Sequence, residues 1–149
     1  MTKVLVTGMS GTGKSTALRE LAARGHRTVD TDSSRWSHWA DNDWIWREDA
    51  MSALLTSPGP LFVAGCKTNQ GRFYSRFDHI VLLSAPASVL LARVTARADN
   101  PYGKTPAERA EILANLATVE PLLRATCTLE INAIVPVADV VARLETLVS

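Results

Sequence analysis

The segment that most constrains the fold is Gly8-Met9-Ser10-Gly11-Thr12-Gly13-Lys14-Ser15, which matches the pattern G-x-x-x-x-G-K-[ST]. Its glycines permit positive φ angles and a close backbone approach, so that several backbone amides can converge on one phosphate. Lys14 can place an ammonium between β- and γ-phosphates, and the Ser15 hydroxyl can bind Mg²⁺. The pattern is the phosphate-binding loop, or Walker A, and it predicts that the chain binds a nucleoside triphosphate.

The residues on either side of this loop support the prediction. Residues 3–7 are an apolar run typical of a buried parallel strand, and residues 16–24 are strongly helical, with Gly25 suited to the helix end. Strand, loop and helix follow in the required order, and the N-terminus of the helix also favours an anion. The candidate nucleotide-binding residues here are Gly8, Met9, Ser10, Gly11, Thr12, Gly13, Lys14, Ser15 and Thr16.

The bulk composition limits the possible partners. The chain has 149 residues, of which 46% are hydrophobic and 21% charged, and its net charge is +1. These values predict one domain over residues 1–149, with no nucleic acid polymer and no membrane as a partner. We expect no signal peptide because the N-terminus enters a strand directly. Two cysteines are too few for a disulfide framework, so we expect a cytoplasmic protein. The expected state is a monomer or a homodimer.

Two carboxylates stand at the end of the second predicted strand, over residues 26–32. Asp30 and Asp32 are two positions apart, so in an extended backbone both can face the crevice at the carboxyl end of the sheet. One could orient a Mg²⁺-bound water, and the other could accept a proton from a substrate hydroxyl. The alternative is that Asp32 is the N-cap of a helix beginning near Ser33.

All four tryptophans lie in the predicted substrate region, about residues 33–57. They are Trp36, Trp39, Trp44 and Trp46. We expect a helix over residues 43–55. Grouped beside two carboxylates, the rings suit the aromatic wall of an acceptor site, and we select Trp36 and Trp46 as substrate-binding candidates. For any single ring, core packing is the better interpretation.

The third predicted strand, residues 61–64, is continuous and apolar, as a central parallel strand should be. It ends in Gly65, Cys66 and Lys67, which are candidate substrate-binding residues. Gly65 would let the backbone approach the substrate, and Lys67 would reach a phosphate. The alternatives are that Cys66 is a small residue of the core and that Lys67 is a solvated lysine of the loop. No acidic residue follows this strand directly, so a conventional Walker B aspartate is absent here.

The second half of the chain predicts two strands, three helices and a lid. Strands are expected over residues 79–83 and 128–132, and helices over 87–98, 105–125 and 137–148. Thr105, Pro106 and Glu108 form a capping pattern for the middle helix. The polar break at about residues 98–105 is the predicted lid. Asn132, at the end of the last strand, is a candidate contact for a purine base.

Four arginines are candidates for binding anions. Arg93 and Arg97 share one helix face, and Arg97 and Arg109 flank the lid, where they would offset the charge of a transferring phosphoryl group. Arg47 would hold an anionic group on the acceptor. For each of them, a surface ion pair is the alternative.

The chain resembles the shikimate kinase-like and nucleoside-monophosphate kinase-like branch of P-loop proteins. The matches are the phosphate-binding loop, Val29-Asp30-Thr31-Asp32, the pair Arg93 and Arg97, and Glu120-Pro121-Leu122-Leu123-Arg124. The resemblance implies an α/β fold, a three-layer α/β/α sandwich with a five-stranded parallel sheet in the order 2-3-1-4-5, a substrate-side helical region after strand 2 and a short lid. It also implies ATP and Mg²⁺ as cofactors.

The same resemblance implies roles for individual residues. Asp32 corresponds to the carboxylate that binds the substrate hydroxyl, Asp30 to the second shell of the Mg²⁺ site, and Arg47 to an arginine that binds an acceptor anion. Ser15 and Asp30 are thus the predicted metal-site residues, and Lys14, Asp32 and Arg97 the predicted catalytic residues. The chain also departs from shikimate kinases, which have a glycine-rich run where Cys66 and Lys67 stand. Together with the tryptophans, these departures indicate a different acceptor, more aromatic or more sugar-like.

Three functions remain open at this point. The first is an ATP-dependent kinase that transfers the γ-phosphoryl group to a hydroxyl of a small acceptor. The second is a nucleoside or nucleotide kinase, in which the tryptophans stack on a base. The third is an ATP-binding regulatory module with little catalysis.

Overall fold

A five-stranded parallel sheet forms the centre of the fold. The structure is a computed structural model, and it describes residues 2–98 and 100–149. The sheet strands are β1 (Lys3–Thr7), β2 (Thr28–Asp30), β5 (Leu61–Ala64), β6 (His79–Ser84) and β7 (Leu129–Asn132), and they pair in the order β2-β5-β1-β6-β7. Counted along the chain within this sheet, the order is 2-3-1-4-5, so the predicted fold class and topology are confirmed. Every pairing in this sheet is parallel.

Helices cover both faces of the sheet. They are α1 (Lys14–Ala23), α2 (Glu48–Thr56), α3 (Ala87–Ala96), α4 (Pro106–Thr118), α5 (Glu120–Thr126) and α6 (Val137–Glu145), with a 3₁₀ helix at Gln70–Arg76. Alternate residues of β1 pack on opposite layers, as the two-residue period of a strand requires. Val4 and Val6 pack with α1 and α6, whereas Leu5 packs with α2 and the 3₁₀ helix. No helix within residues 2–98 and 100–149 is long and apolar enough to cross a membrane.

The substrate region differs from the prediction. We expected a helix over residues 43–55, but β3 (Ser37–Ala40) and β4 (Asp43–Trp46) pair as an antiparallel hairpin, and α2 begins only at Glu48. Asp41 and Asn42 form the two-residue turn with φ angles of 50° and 62°. Such turns need positive φ at both positions, and aspartate and asparagine tolerate it best after glycine. The alternative helix near Ser33 is also wrong, because residues 31–36 form turns.

The predicted helix over residues 105–125 is two helices. Thr105 forms the expected capping box with Glu108 at the start of α4, but α4 ends at Thr118 and α5 starts at Glu120. Pro121 lies in the first turn of α5. Because proline lacks an N–H and its ring clashes with the carbonyl of the preceding turn, one continuous helix through this position is disfavoured. The two helices are the result.

Candidate functional site

The phosphate-binding loop curls between β1 and α1. Gly13 is the residue that precedes α1 and has a left-handed conformation, with φ of 91°. Gly11 also has positive φ, 87°, and a Cβ there would lie 2.9 Å from the carbonyl oxygen of Leu90. Both positions therefore require glycine for conformational reasons, and at Gly11 also for steric reasons. The loop has the backbone geometry that the sequence motif predicts.

Lys14 lies folded against this loop. Its Nζ donates hydrogen bonds to the carbonyl oxygens of Gly8, at 2.6 Å, and Met9, at 3.1 Å. Burial lowers the pKa of the Lys14 ammonium, while the nearby carboxylates of Asp30 and Asp32 act in the opposite direction. The ammonium is thus held over the concave side of the loop, where a bound phosphate would lie.

Ser15 and Asp30 bring two oxygen atoms together at the start of α1. The Ser15 Oγ donates a hydrogen bond to Asp30 Oδ2 at 2.7 Å, and Asp30 lies at the carboxyl end of β2. A hydroxyl and a carboxylate are the oxygen ligands that Mg²⁺ prefers, and Mg²⁺ usually keeps several waters between itself and the protein. The residues present therefore fit a magnesium ion beside the loop.

Asp32 lies at the centre of a small polar cluster at the other side of the cleft. Its Oδ1 accepts hydrogen bonds from Lys67 Nζ at 2.7 Å and from Trp44 Nε1 at 3.3 Å. Burial alone would raise the pKa of the Asp32 carboxyl, but the hydrogen bond and the charge of Lys67 more than offset this, so the pKa is lowered. Asp32 is therefore an ionised carboxylate that points into the cleft.

Thr31, between the two aspartates, anchors this strand end in the core. Its Oγ1 donates to the carbonyl oxygen of Ala64 at 2.7 Å and accepts a hydrogen bond from Trp46 Nε1 at 2.8 Å. Trp46 is fully buried and packs against Phe73 and Phe77. The placement of Trp46 does not support its selection as a substrate-binding residue, because its ring lies in the core and its N–H is bonded to Thr31.

Two other candidates of the substrate region also point away from the cleft. Trp36 is half-buried against the core cluster that contains Trp46, and the guanidinium of Arg35 lies 5.0 Å from its ring centroid. Arg47 donates from Nε to the carbonyl oxygen of Ser34 at 2.9 Å. Neither Trp36 nor Arg47 lines the cleft, so the expectation that they contact the acceptor is not supported by their placement.

The tryptophans that face the cleft are Trp39 and Trp44. They are cross-strand partners in the hairpin, with ring centroids 5.4 Å apart and planes inclined by 54°. Trp39 is 70% exposed, although its side chain is large and mainly apolar. The signal that could have identified them is the alternation around Asp41-Asn42, which predicts a hairpin and not a helix.

Arg93 and Arg97 lie on the nucleotide side. Arg93 donates to the carbonyl oxygens of Gly11, at 3.3 Å, and Ala133, at 2.6 Å. Arg97 donates from Nη2 to the carbonyl oxygen of Tyr102 at 2.9 Å, and its Nε is buried without a hydrogen-bond partner among the described residues. Both side chains line the same cleft as the loop, and Arg93 contacts the loop directly.

The predicted lid is partly fixed to the helices around it, and one of its residues, Asp99, lies outside the described residues. Lys104 Nζ donates to the carbonyl oxygens of Thr95, at 2.9 Å, and Arg97, at 2.5 Å, at the end of α3. Arg109 donates to the carbonyl oxygen of Lys104 at 3.0 Å and does not line the cleft. Arg109 therefore holds the lid and is not placed to contact a phosphate.

At the end of β7, the residue that lines the cleft is Ala133 and not the predicted Asn132. Asn132 is exposed, and its Oδ1 accepts a hydrogen bond from the backbone N–H of Ile134 at 3.1 Å. Ala133 and Val135 line the cleft, but Asn132 does not. The expected contact of Asn132 with a base is not supported by this placement, because its side chain is used in its own turn.

One cleft of about 1080 Å³ joins these groups. At one end lie the loop, Arg93 and Arg97, and at the other lie Asp30, Asp32, Lys67 and the two tryptophans. Gly65 and Cys66 also line the cleft; they lie in the loop that joins β5 to the 3₁₀ helix. Such an arrangement can bind a polyphosphate and, next to its terminal phosphate, a second molecule that faces a carboxylate.

Solved structures with this fold cover nearly the whole chain. Shikimate kinase from Acinetobacter baumannii in complex with shikimate has 17% identity and a TM-score of 0.73, covering 99% of this chain and 92% of that one. Shikimate kinase from Bacteroides thetaiotaomicron has 20% identity and a TM-score of 0.71, with 98% and 97% coverage. A gluconokinase from Sinorhizobium meliloti has 19% identity and a TM-score of 0.62, with 99% and 93% coverage.

The sequence comparisons identify the family. No curated protein matches the chain significantly. A family model described as an AAA domain matches residues 4–114, which is more than half of the 149 residues and includes the phosphate-binding loop and the hairpin. The chain therefore belongs to the AAA domain family, and its fold is that of the shikimate kinase-like branch of P-loop proteins.

Proposed function

We propose that the protein is an ATP-dependent kinase that transfers the γ-phosphoryl group to a hydroxyl of a small acceptor. The observation that carries the proposal is that one cleft holds both the loop with Lys14 and, opposite it, the ionised carboxylate of Asp32. A protein that only binds or hydrolyses a nucleotide has no need for a second, aromatic-walled end with a carboxylate. The likeness in fold to proteins named shikimate kinase and gluconokinase adds support by analogy.

The residues of the loop would bind the phosphates of ATP. The backbone amides of the loop and the N-terminus of α1 donate to the phosphate oxygens. Lys14 would exchange its bonds to the Gly8 and Met9 carbonyl oxygens for bonds to the β- and γ-phosphates. Arg93 and Arg97 would offset the negative charge that spreads over the phosphoryl oxygens during transfer.

Ser15 and Asp30 would hold magnesium when it is bound. The ion would supply positive charge that offsets the negative charge of the phosphates. Ser15 supplies a neutral oxygen and Asp30 a charged one, and the hydrogen bond that joins them fixes both side chains before anything binds.

Asp32 would act as the proton acceptor. The acceptor hydroxyl oxygen attacks the γ-phosphorus, the bond from that phosphorus to the β–γ bridging oxygen breaks, and the hydroxyl proton moves to the Asp32 carboxylate. ADP leaves with the electron pair of the broken bond. Lys67 keeps Asp32 ionised and oriented through its 2.7 Å bond, and the position of the two reactants supplies most of the rate in this class of reaction.

Several properties accompany this proposal as predictions. They are a single domain over residues 1–149, a lid at about residues 98–105 that excludes water, a monomeric or homodimeric state and a cytoplasmic location. A small-molecule acceptor is the predicted partner.

The test is the formation of ADP by purified protein with Mg²⁺ and ATP, measured with a panel of hydroxylated metabolites, sugars, nucleosides, nucleotides and antibiotics. Lys14→Ala should abolish acceptor-dependent ADP formation. Asp32→Asn should lower kcat by about 10²–10⁴, the usual contribution of a general base, while ATP still binds. Asp49→Asn is the matched control, since Asp49 is exposed on α2 and does not line the cleft.

The proposal fails if no acceptor in the panel increases ADP formation although ATP binds with Lys14-dependent affinity. Full turnover in Asp32→Asn would leave the kinase in place but would remove Asp32 as the proton acceptor.

A further inference from the structure

The charges around the cleft are divided unequally between its two ends. Lys14, Arg93 and Arg97 all donate to backbone carbonyl oxygens on the loop side, where phosphates would bind. Arg19, the other arginine of the cleft lining, donates to Thr16 Oγ1 on the first turn of α1. Within residues 2–98 and 100–149, Lys67 is the cation that lines the acceptor end, and it is bonded to Asp32.

The cations next to the carboxylates are therefore already in use. Lys67 is paired with Asp32, and Lys14, whose charge also acts on Asp30 and Asp32, would turn to the phosphates. Arg47, which would have supplied a further cation, lies outside the cleft with its Nε bonded to Ser34. An acceptor with its own carboxylate or phosphate would have to enter this end against like charge, with Lys67 already paired, and like charges at short distance are unfavourable.

The wall of the same end is an exposed pair of indole rings. Trp39 is 70% exposed, and its ring is in contact with that of Trp44. Trp44 is also fixed from the other side, because its Nε1 donates to Asp32 Oδ1. A large exposed ring that packs on a second, hydrogen-bonded ring offers a flat apolar face, and tryptophan has only two side-chain torsions to order. The flat face of a ring-shaped molecule fits it, with hydroxyls directed to the carboxylates.

We propose that the Trp39–Trp44 face binds a hydroxylated ring molecule that carries no carboxylate or phosphate, uncharged or with a cationic amine, as the acceptor of the kinase. The identification as the acceptor rests on the proposed function, whereas the binding preference does not. The ring stacks on Trp39, one hydroxyl reaches Asp32, and an amine, where present, is favoured by the rings and by the Asp32 carboxylate.

Binding of matched probes tests the chemical class. Isothermal titration with saturating Mg²⁺ and ADP, which fills the nucleotide end, compares methyl β-D-glucopyranoside, D-glucosamine and D-glucuronate, and then adenosine with AMP. We expect the uncharged or cationic member of at least one set to bind about tenfold more tightly than its anionic counterpart, a difference of 1.4 kcal/mol. Equal or tighter binding of the anionic members, or no binding of any probe, contradicts the proposal.

The variant Trp39→Ala tests the stacking itself. We expect it to weaken the preferred probe about tenfold, since aromatic contacts of this kind contribute about that much with the burial of area that accompanies them. Trp39→Phe should retain most of the affinity, and Leu122→Ala, which removes an equally exposed apolar side chain on α5 outside the cleft, should change nothing. Affinity unaffected by Trp39→Ala would refute the stacking.

These results remain separable from the proposed function. ADP formation measured on the same samples decides whether the bound probe is phosphorylated. Probe binding with the expected charge preference but without any acceptor-dependent ADP would leave this inference standing as a binding site and remove the kinase. Turnover that occurs only with anionic acceptors would do the reverse.

Discussion

Replacing Gly65 by alanine should destabilise the protein because it disrupts the hydrogen bonds that anchor the acceptor end. A Cβ at this position would lie 2.4 Å from Thr31 Oγ1 and 3.1 Å from Trp46 Nε1. Both atoms are buried, and they are bonded to each other at 2.8 Å. The backbone of Gly65 does not have positive φ, so the cost comes from the collision and not from backbone strain.

The size of the effect can be worked from these contacts. Forcing an extra methyl into a packed core costs about 1–3 kcal/mol, and leaving a buried N–H or carbonyl without its partner costs about 1–3 kcal/mol more. The two together come to about 4 kcal/mol at mid-range, which would lower the Tm of a chain of this size by about 8–16 °C. Because Thr31 lies between Asp30 and Asp32, we also expect a loss of kcat that exceeds the loss of ATP affinity.

Urea unfolding and thermal unfolding of two glycine variants are the assay. Gly71→Ala is the control, since a Cβ there would lie 3.8 Å from the nearest atom, an ordinary contact. Thr31→Ala removes the colliding oxygen, so the double variant Gly65→Ala/Thr31→Ala should be less destabilised than the sum of the two single changes by about 0.5–3 kcal/mol. Additive effects, or a Gly65→Ala protein as stable as Gly71→Ala, would refute the steric argument.

Two further predictions concern Lys67 and the hairpin turn. Lys67→Met removes the cation that keeps the pKa of Asp32 low, so the pKa rises and the acid limb of the kcat/KM profile moves to higher pH. An unchanged acid limb would exclude Asp32 as the titrating group. Asn42→Val places a β-branched residue at φ of 62°, which should cost about 1–2 kcal/mol in urea unfolding, whereas Asn42→Gly should not be destabilising. Equal stabilities of these two variants would contradict the turn geometry.

The nucleotide end was predictable from the sequence because the residues that form it are contiguous in the chain. The phosphate-binding loop, its strand and its helix are contiguous, and each glycine has a conformational reason that the pattern itself contains. The sheet order also followed once the elements were matched to a known branch of folds. Asp30 and Asp32 were predictable for the same reason, since they belong to one strand end with a two-residue period.

The acceptor end was not predictable to the same degree because its residues depend on a distinction between helix and strand. If residues 43–55 are taken as a helix, nothing in the sequence distinguishes the tryptophans of the core from those that face the cleft. Read as a hairpin, the register places Ser37, Trp39, Trp44 and Trp46 on one face, since Ser37 pairs with Trp46 and Trp39 with Trp44. The root of that face lies against the core and buries Ser37 and Trp46, while the tip extends beyond the core to the cleft.

Hydrogen bonds join the hairpin to the strand end that carries Asp30 and Asp32, so the aromatic wall and the carboxylates of the acceptor end are held together. At the root, Trp46 Nε1 donates to Thr31, whose backbone neighbours are Asp30 and Asp32. At the tip, Trp44 Nε1 donates directly to Asp32 Oδ1. A ring stacked on Trp39 is therefore positioned by the same strand pair that positions the proton acceptor. Two hydrogen bonds from one strand, β4, set the distance between the acceptor and its base, so a change in either bond alters both binding and orientation together.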